Sequence, residues 1–199
     1  MTYHHGNLRK ELLDRAAAVI VDQGIDALSL RALARDLGVS HAAPSRHFKD
    51  KTALLAALAT EGHRQMTEAL NKAAEAAGVD PVARYNALGR EVIHFSFRNP
   101  AYFKAMNHPE VVRNSDEALA QAQVTYMETT RKAAAAAQAA GWHPDEDLDT
   151  LVIFSSAAAL GTANMLIDKN VYIPDTGKEL EELAAKIIRL VVPSSAKEL

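Results

Sequence analysis

Apolar residues recur at intervals of three and four along almost the whole chain. Leu8, Leu12, Leu13, Ala16, Val19 and Ile20 mark one face of a first helix that Gly24 stops. Leu30, Leu33, Ala34 and Leu37 follow Ser29 and predict a short second helix ending at Gly38. Ser40, with Val39 before it as a hydrophobic staple, predicts a third helix that closes near Phe48. Asp50 is placed to cap a long fourth helix running through Leu54, Leu55, Leu58, Met66 and Leu70 to about Gly78.

The same pattern continues to the end. Asp80-Pro81 and Asn99-Pro100 each put a capping side chain before a proline at the first helical position. They start a fifth helix ending near Arg98 and a short sixth through Tyr102, Phe103 and Met106. A seventh helix is predicted from Asn114 to Gly141, with Glu117 placed for a capping box and an alanine-rich tail of strong helix propensity. Pro144 and Asp145 open an eighth, from Asp147 to about Lys169; Thr176 with Glu179 forms a capping box for the last, which ends before Pro193. No segment alternates as a strand and no repeat occurs. The predicted fold is all-α, with about nine helices: an N-terminal three-helix head over residues 1–50, joined by the long helix to an all-helical body over residues 51–199.

Length and composition narrow the function. A chain of 199 residues suits one large domain or two small ones and can bury roughly 70% of its unfolded surface. With no cysteine, disulfides, thiolate metal sites and a cysteine nucleophile are excluded. The opening MTYHHGNLRK is too polar for a secretory signal, and the most apolar stretch, residues 151–167, is interrupted by Ser155, Ser156, Thr162 and Asn164. A cytoplasmic protein with no membrane partner is the expectation. The net charge of −3 is uneven: residues 1–55 hold eight Lys/Arg against six Asp/Glu, and the remainder fourteen against nineteen. A slightly basic head on an acidic body suits a head that meets phosphates.

That head contains two short helical segments joined by Leu37-Gly38-Val39-Ser40, the pattern of a helix-turn-helix. An ordinary helical hairpin would also fit the spacing. Against it, the first turn of the second segment carries the small residues Ala42 and Ala43, and Arg46, His47, Lys49 and Lys51 crowd its far end. Small residues let a helix approach base edges while cations meet the flanking phosphates. The run from Leu30 to Lys51 resembles the DNA-binding domain of the TetR/AcrR transcriptional regulators, and Tyr3-His4-His5-Gly6-Asn7-Leu8-Arg9 is similar to the start of many members.

The resemblance implies roles for particular residues. Arg31 matches a position that reaches a base, and a bidentate arginine–guanine contact is sound chemistry for it. His41, Ala42 and Ala43 match the base-facing first turn. Lys51, Ser40 and His47 fit phosphate contacts. Ser45 departs from the family, which usually carries an aromatic there, most often tyrosine, so that contact is reduced to a short hydroxyl. Pro44 stands at the fourth helical position, where only the first intrahelical bond is lost. The resemblance further implies a homodimer on double-stranded operator DNA, released as a repressor by an unknown small-molecule effector.

An aromatic- and methionine-rich body suits a ligand pocket, for which Met66, Phe95, Met106, Tyr126, Phe154 and Met165 are the candidate lining; plain core is the alternative for any one of them. Ser155, Ser156, Gly161 and Ala163, with Leu180, Leu183, Ile187 and Val191, make the last two helices a candidate dimer face. Asn99-Pro100-x-Tyr102-Phe103 looks like one branch of the family, but Ser156, Leu160 and Gly161 stand where that branch carries Trp, His and Gly, which leaves the subgroup open. Glu91-x-x-His94 is the best enzymatic motif, yet a di-iron bundle needs a second copy, which the chain lacks. No phosphate loop or nucleophile elbow occurs, so no catalytic residue, metal or cofactor is expected. The remaining alternative is an architectural helical DNA-binding protein without ligand gating.

Overall fold

Side chains that can accept a hydrogen bond begin most of the helices. The computed structural model describes residues 8–168 and 176–193. Among these the helices are α1 (Leu8–Gln23), α2 (Leu30–Asp36), α3 (Lys51–Ala76), α4 (Pro81–Arg98), α5 (Pro100–Met106), α6 (Pro109–Arg113), α7 (Glu117–Ala139), α8 (Leu148–Ile167) and α9 (Gly177–Val191), with no strand. Asp50 Oδ1 accepts from Ala53 N at 2.8 Å, Asp80 Oδ1 from Val82 N at 2.9 Å and Asp147 Oδ2 from Thr150 N at 2.8 Å, each satisfying an amide that the first turn leaves unpaired. Thr176 and Glu179 close the predicted capping box reciprocally, both at 3.2 Å.

Three local expectations are corrected. Residues 41–46 do not form an α-helix but a turn leading into a 3₁₀ segment, Pro44–Arg46. The seventh predicted helix begins at Glu117 rather than Asn114, because Asp116 Oδ1 takes Leu119 N at 2.8 Å. Asn114 instead closes α6, donating from Nδ2 to Glu110 O at 2.9 Å. The five-residue α6 itself, opened by His108-Pro109, has no counterpart among the predicted helices. The predicted end of the eighth helix at Lys169, and the segment Tyr3 to Asn7, lie outside the described residues.

The residues pack as two compact units. One comprises the chain to His63 together with Pro100–Ala122; the other comprises Arg64–Asn99 together with the chain from Gln123. In the first, Leu12, Ala16 and Ile20 of α1, Leu33 and Ala34 of α2, and Leu54, Leu55 and Leu58 of α3 are buried. Arg15 of α1 clamps α2 through one oxygen of Asp36, at 3.0 Å from Nε and 2.7 Å from Nη2. In the second, α4 packs on α8 and α9. Asn86 of α4 donates to Val192 O just beyond α9, and Trp142 is wholly buried against Tyr85, ring centres 5.0 Å apart.

α8 presents two apolar faces. Leu151, Ser155, Ala159, Ala163 and Leu166 are buried, while Ile153, Phe154 and Met165 are exposed. Its 20 residues are long and apolar enough to cross a membrane by length and composition, although polar residues interrupt them. Its buried face packs on α4 and α9.

Candidate functional site

The turn after α2 is fixed by backbone hydrogen bonds. Gly38 adopts φ 66°, and the amides of Gly38 and Val39 return to Arg35 O at 3.1 Å and Ala34 O at 2.9 Å. This is a Schellman closure, which needs a residue at positive φ and hence a glycine. Beyond it, the α-helical partner of Ser40 O would be the amide of residue 44. Pro44 has no amide hydrogen, so Ser40 O is taken by Ala43 N at 2.9 Å, one residue short of the α-helical partner. The tighter 3₁₀ spacing persists through Arg46 N to Ala43 O at 3.2 Å and His47 N to Pro44 O at 2.9 Å.

The segment is anchored from beneath. Pro44 and Phe48 are buried, and the Arg9 guanidinium lies 5.4 Å from the centre of the Phe48 ring. Arg31, Ser40, His41, Ala42, Ser45 and His47 are exposed, and Ala43 is half-buried. Lys51, at the start of α3, is half-buried and its Nζ donates to Asp26 O at 3.3 Å. All eight residues singled out in the head therefore belong to one unit. Arg9 carries no such mark in the sequence, since a cation over a ring is visible only once α1 and the turn are brought together.

The six expected pocket residues have different surroundings. Met106 belongs to the first unit, over Gly62, where an added Cβ would come 2.7 Å from its sulfur. Met66 is fully buried, and Phe154 and Met165 are 59% and 50% exposed on α8. Phe95 lines a cleft with Gln65, Glu68 and Arg98. Only Tyr126 faces an apolar cavity, one of about 30 Å³ shared with Tyr85, Leu88, Thr130, Ser155 and Ile188. Here Ser155 Oγ donates to Leu151 O at 2.7 Å, which leaves the Tyr85 hydroxyl to donate to Ser155 Oγ at 2.6 Å. Burial raises the Tyr85 phenol and pushes that of Tyr126 up to about 12, with Tyr85 nearby adding to it, so both stay neutral. A larger cleft of about 450 Å³ lies between α3, α4 and α7, and a groove of about 570 Å³ between α7 and α8.

The residues of the enzymatic motif are engaged elsewhere. Glu91 pairs with Arg98, and His94 Nε2 lies 2.9 Å from Glu181 Oε2, on a carboxylate that also receives Arg90 at 3.2 Å. Among the described residues no group of three His, Asp or Glu side chains could hold a metal ion.

Residues 12–58 match the family of bacterial regulatory proteins of the tetR type, and residues 85–191 match the tetracyclin repressor-like C-terminal domain. The chain belongs to the TetR family. It is a DNA-binding transcriptional regulator and not an enzyme. A protein of unknown function from Rhodococcus sp. RHA1 is 32% identical, with 97% of this chain and 99% of that one aligned at a TM-score of 0.77. AibR, solved in complex with isovaleryl coenzyme A and operator DNA, shares the fold at 20% identity, 93% and 98% coverage and a TM-score of 0.71. So does the TetR family regulator PfmR from Thermus thermophilus, at 21% identity, 91% and 96% coverage and a TM-score of 0.70. No curated protein matches the sequence.

Proposed function

We propose that this TetR family member is a cytoplasmic homodimeric repressor that leaves a double-stranded DNA operator when a small molecule occupies its second unit. The observation that carries the DNA reading is the exposed turn at residues 40–47, held on Pro44 and Phe48 and set by the Gly38 closure. Small side chains at Ala42 and Ala43 let its backbone approach base edges, where a methyl group packs on thymine and His41 donates to a base acceptor. Arg31 reads a guanine from the start of α2. Ser40, Ser45 and His47 meet phosphates, and Lys51 exchanges the carbonyl of Asp26 for a phosphate oxygen.

The dimer reading rests on apolar surface. Ile153 is 70% and Leu190 88% exposed, and with Phe154 and Met165 they leave the outer sides of α8 and α9 without cover. A second copy of the chain supplies that cover in a two-fold dimer, whose recognition turns must then lie about 34–36 Å apart to enter successive major grooves. The effector acts at the cleft between α3, α4 and α7, which shares Leu88 with the small cavity at Tyr126, and AibR, crystallised with isovaleryl coenzyme A and operator DNA, supports that both ligands suit this fold. Lys51 and Leu70 share the single helix α3, so a ligand that shifts α3 at Leu70 also moves Lys51. Ligand and operator affinities are then reciprocally coupled, by about 1–3 kcal/mol.

Salt titration and selection on random DNA test this reading. Lys51→Ala should weaken binding to all sequences alike, and should flatten the log–log salt slope by about 0.9 per lost contact, or about 1.8 per dimer. Arg31→Ala should relax preference at one base pair per half-site by roughly 1–3 kcal/mol. An unchanged slope in the first variant, or an undiminished motif in the second, removes those residues from the interface.

A further inference from the structure

The cleft between α3, α4 and α7 is hollowed out by small side chains. Its floor is built from Ala74, Ala133 and Ala136, three side chains too short to fill the space between the helices. Alanines 134 and 137, on the other side of α7, are wholly buried, so the alanine-rich tail both packs the interior and hollows the surface. Arg84 of α4 and Lys132 of α7 stand on the lining, and no carboxylate does. Each is exposed, and among the described residues neither forms an ion pair, whereas the neighbouring Arg131 is held by Asp149 at 2.9 Å. Two uncompensated cations over an apolar floor make a site that is positive at its edge and greasy at its base. Asn71 and Thr129 add polar side chains to the same lining.

Leu88 joins this cleft to the small cavity under Tyr85, since its side chain lines both. Arg84 and Leu88 lie four residues apart on α4 and therefore share a face. A ligand whose charge rests at Arg84 would thus direct its body along the alanines toward Leu88. The cleft's volume falls in the range of small-molecule sites, whereas the inner cavity of about 30 Å³ admits little more than water.

We propose that this cleft binds a monoanionic amphiphile, a carboxylate carrying an apolar chain, with the carboxylate between Arg84 and Lys132 and the chain on Ala74, Ala133 and Ala136 up to Leu88. The inference rests on the effector reading above and names the chemical class of that effector. Guanidinium and ammonium are charge-assisted donors to the carboxylate, and the alanine floor takes the chain out of water.

Calorimetric titration with octanoate, 1-octanol and octylamine tests the assignment. Octanoate should bind, the neutral alcohol should bind about tenfold or more weakly, and the amine should not bind. The double variant Arg84→Gln/Lys132→Gln should reduce octanoate to the level of the alcohol, and both replaced residues are exposed, so its folded circular dichroism should be retained. Ala133→Trp, which fills the floor, should weaken acid and alcohol alike. Equal binding of alcohol and acid, or octanoate binding that survives the double variant, overturns the proposal. An operator obtained by selection separates this from the effector reading. Octanoate that binds as described without changing operator affinity leaves the cleft standing and removes release by this ligand class. Operator binding that persists while octanoate fails to bind overturns the cleft alone.

Discussion

Trp142→Ala should destabilise the protein by about 3–5 kcal/mol, the cost of deleting a fully buried indole and leaving its space unfilled. Three separate contacts meet at this residue. Gly141 at φ 105° turns the chain out of α7, and the amides of Gly141 and Trp142 close the helix on Gln138 O at 2.9 Å and Ala137 O at 3.0 Å. The indole is thereby carried inward, wholly buried, onto the Tyr85 ring of α4. Its Nε1 donates to Val191 O at 3.2 Å, at the last residue of α9. One side chain thus ties the end of α7 to α4 and α9. Trp142→Phe keeps most of the ring and loses the indole donor, so it should cost less, with about 1 kcal/mol of the loss due to the hydrogen bond. Urea unfolding followed by circular dichroism makes the measurement, because Trp142 is the chain's single tryptophan and its fluorescence disappears with it. Equal losses in the two variants would mean that the hydrogen bond, and not the packed ring, holds these helices together.

What can be read from the sequence is what is decided within four residues. Asp50, Asp80 and the Thr176–Glu179 pair announce their helices because a cap is made by a side chain and an amide two or three positions on, whereas Asp147 caps α8 where the sequence points to Pro144 and Asp145 to open it. Gly38 announces its turn for the same reason. Pro44 carries equally local information, but its effect exceeds the loss of one bond. Removing the first α-helical bond from a segment only a few residues long leaves too few others to hold the α form, and 3₁₀ spacing results. Asn114 and Asp116 are both acceptable caps, and the choice between them depends on α6, whose five residues are too few to show a period.

The ligand region is less legible because aromatic and methionine spacing describes core and pocket alike. Phe95 and Met66 satisfy the pattern and are buried, while Phe154 and Met165 satisfy it and face outward. A cavity is defined by what is missing. The alanines at 74, 133 and 136 look in sequence like ordinary helix formers, and only the juxtaposition of three helices turns them into a floor. Arg84 and Lys132 are far apart in the chain, and nothing local marks either as belonging to a site.

Acidification should destabilise the protein through His63 in particular. The imidazole lies on α3 at 8% exposure, and burial lowers its pKa from 6.5 to about 4 by disfavouring the charged ring. The folded state therefore takes up the proton less readily than the unfolded chain does. The stability held by the neutral ring is complete above pH 6.5 and drains away as pH falls toward 4, with about 2 kcal/mol gone by pH 5. Carboxylates also titrate near the lower end of that window, so the effect must be read as a difference. His63→Gln keeps a polar side chain of similar length without a group that titrates there. Between about pH 7.5 and pH 5 the unfolding free energy of the native protein should fall by about 2 kcal/mol more than that of the variant, whatever their difference at neutral pH. Parallel curves for the two proteins would show that the ring is protonated as readily in the folded chain as in the unfolded one, and that its burial has no such cost.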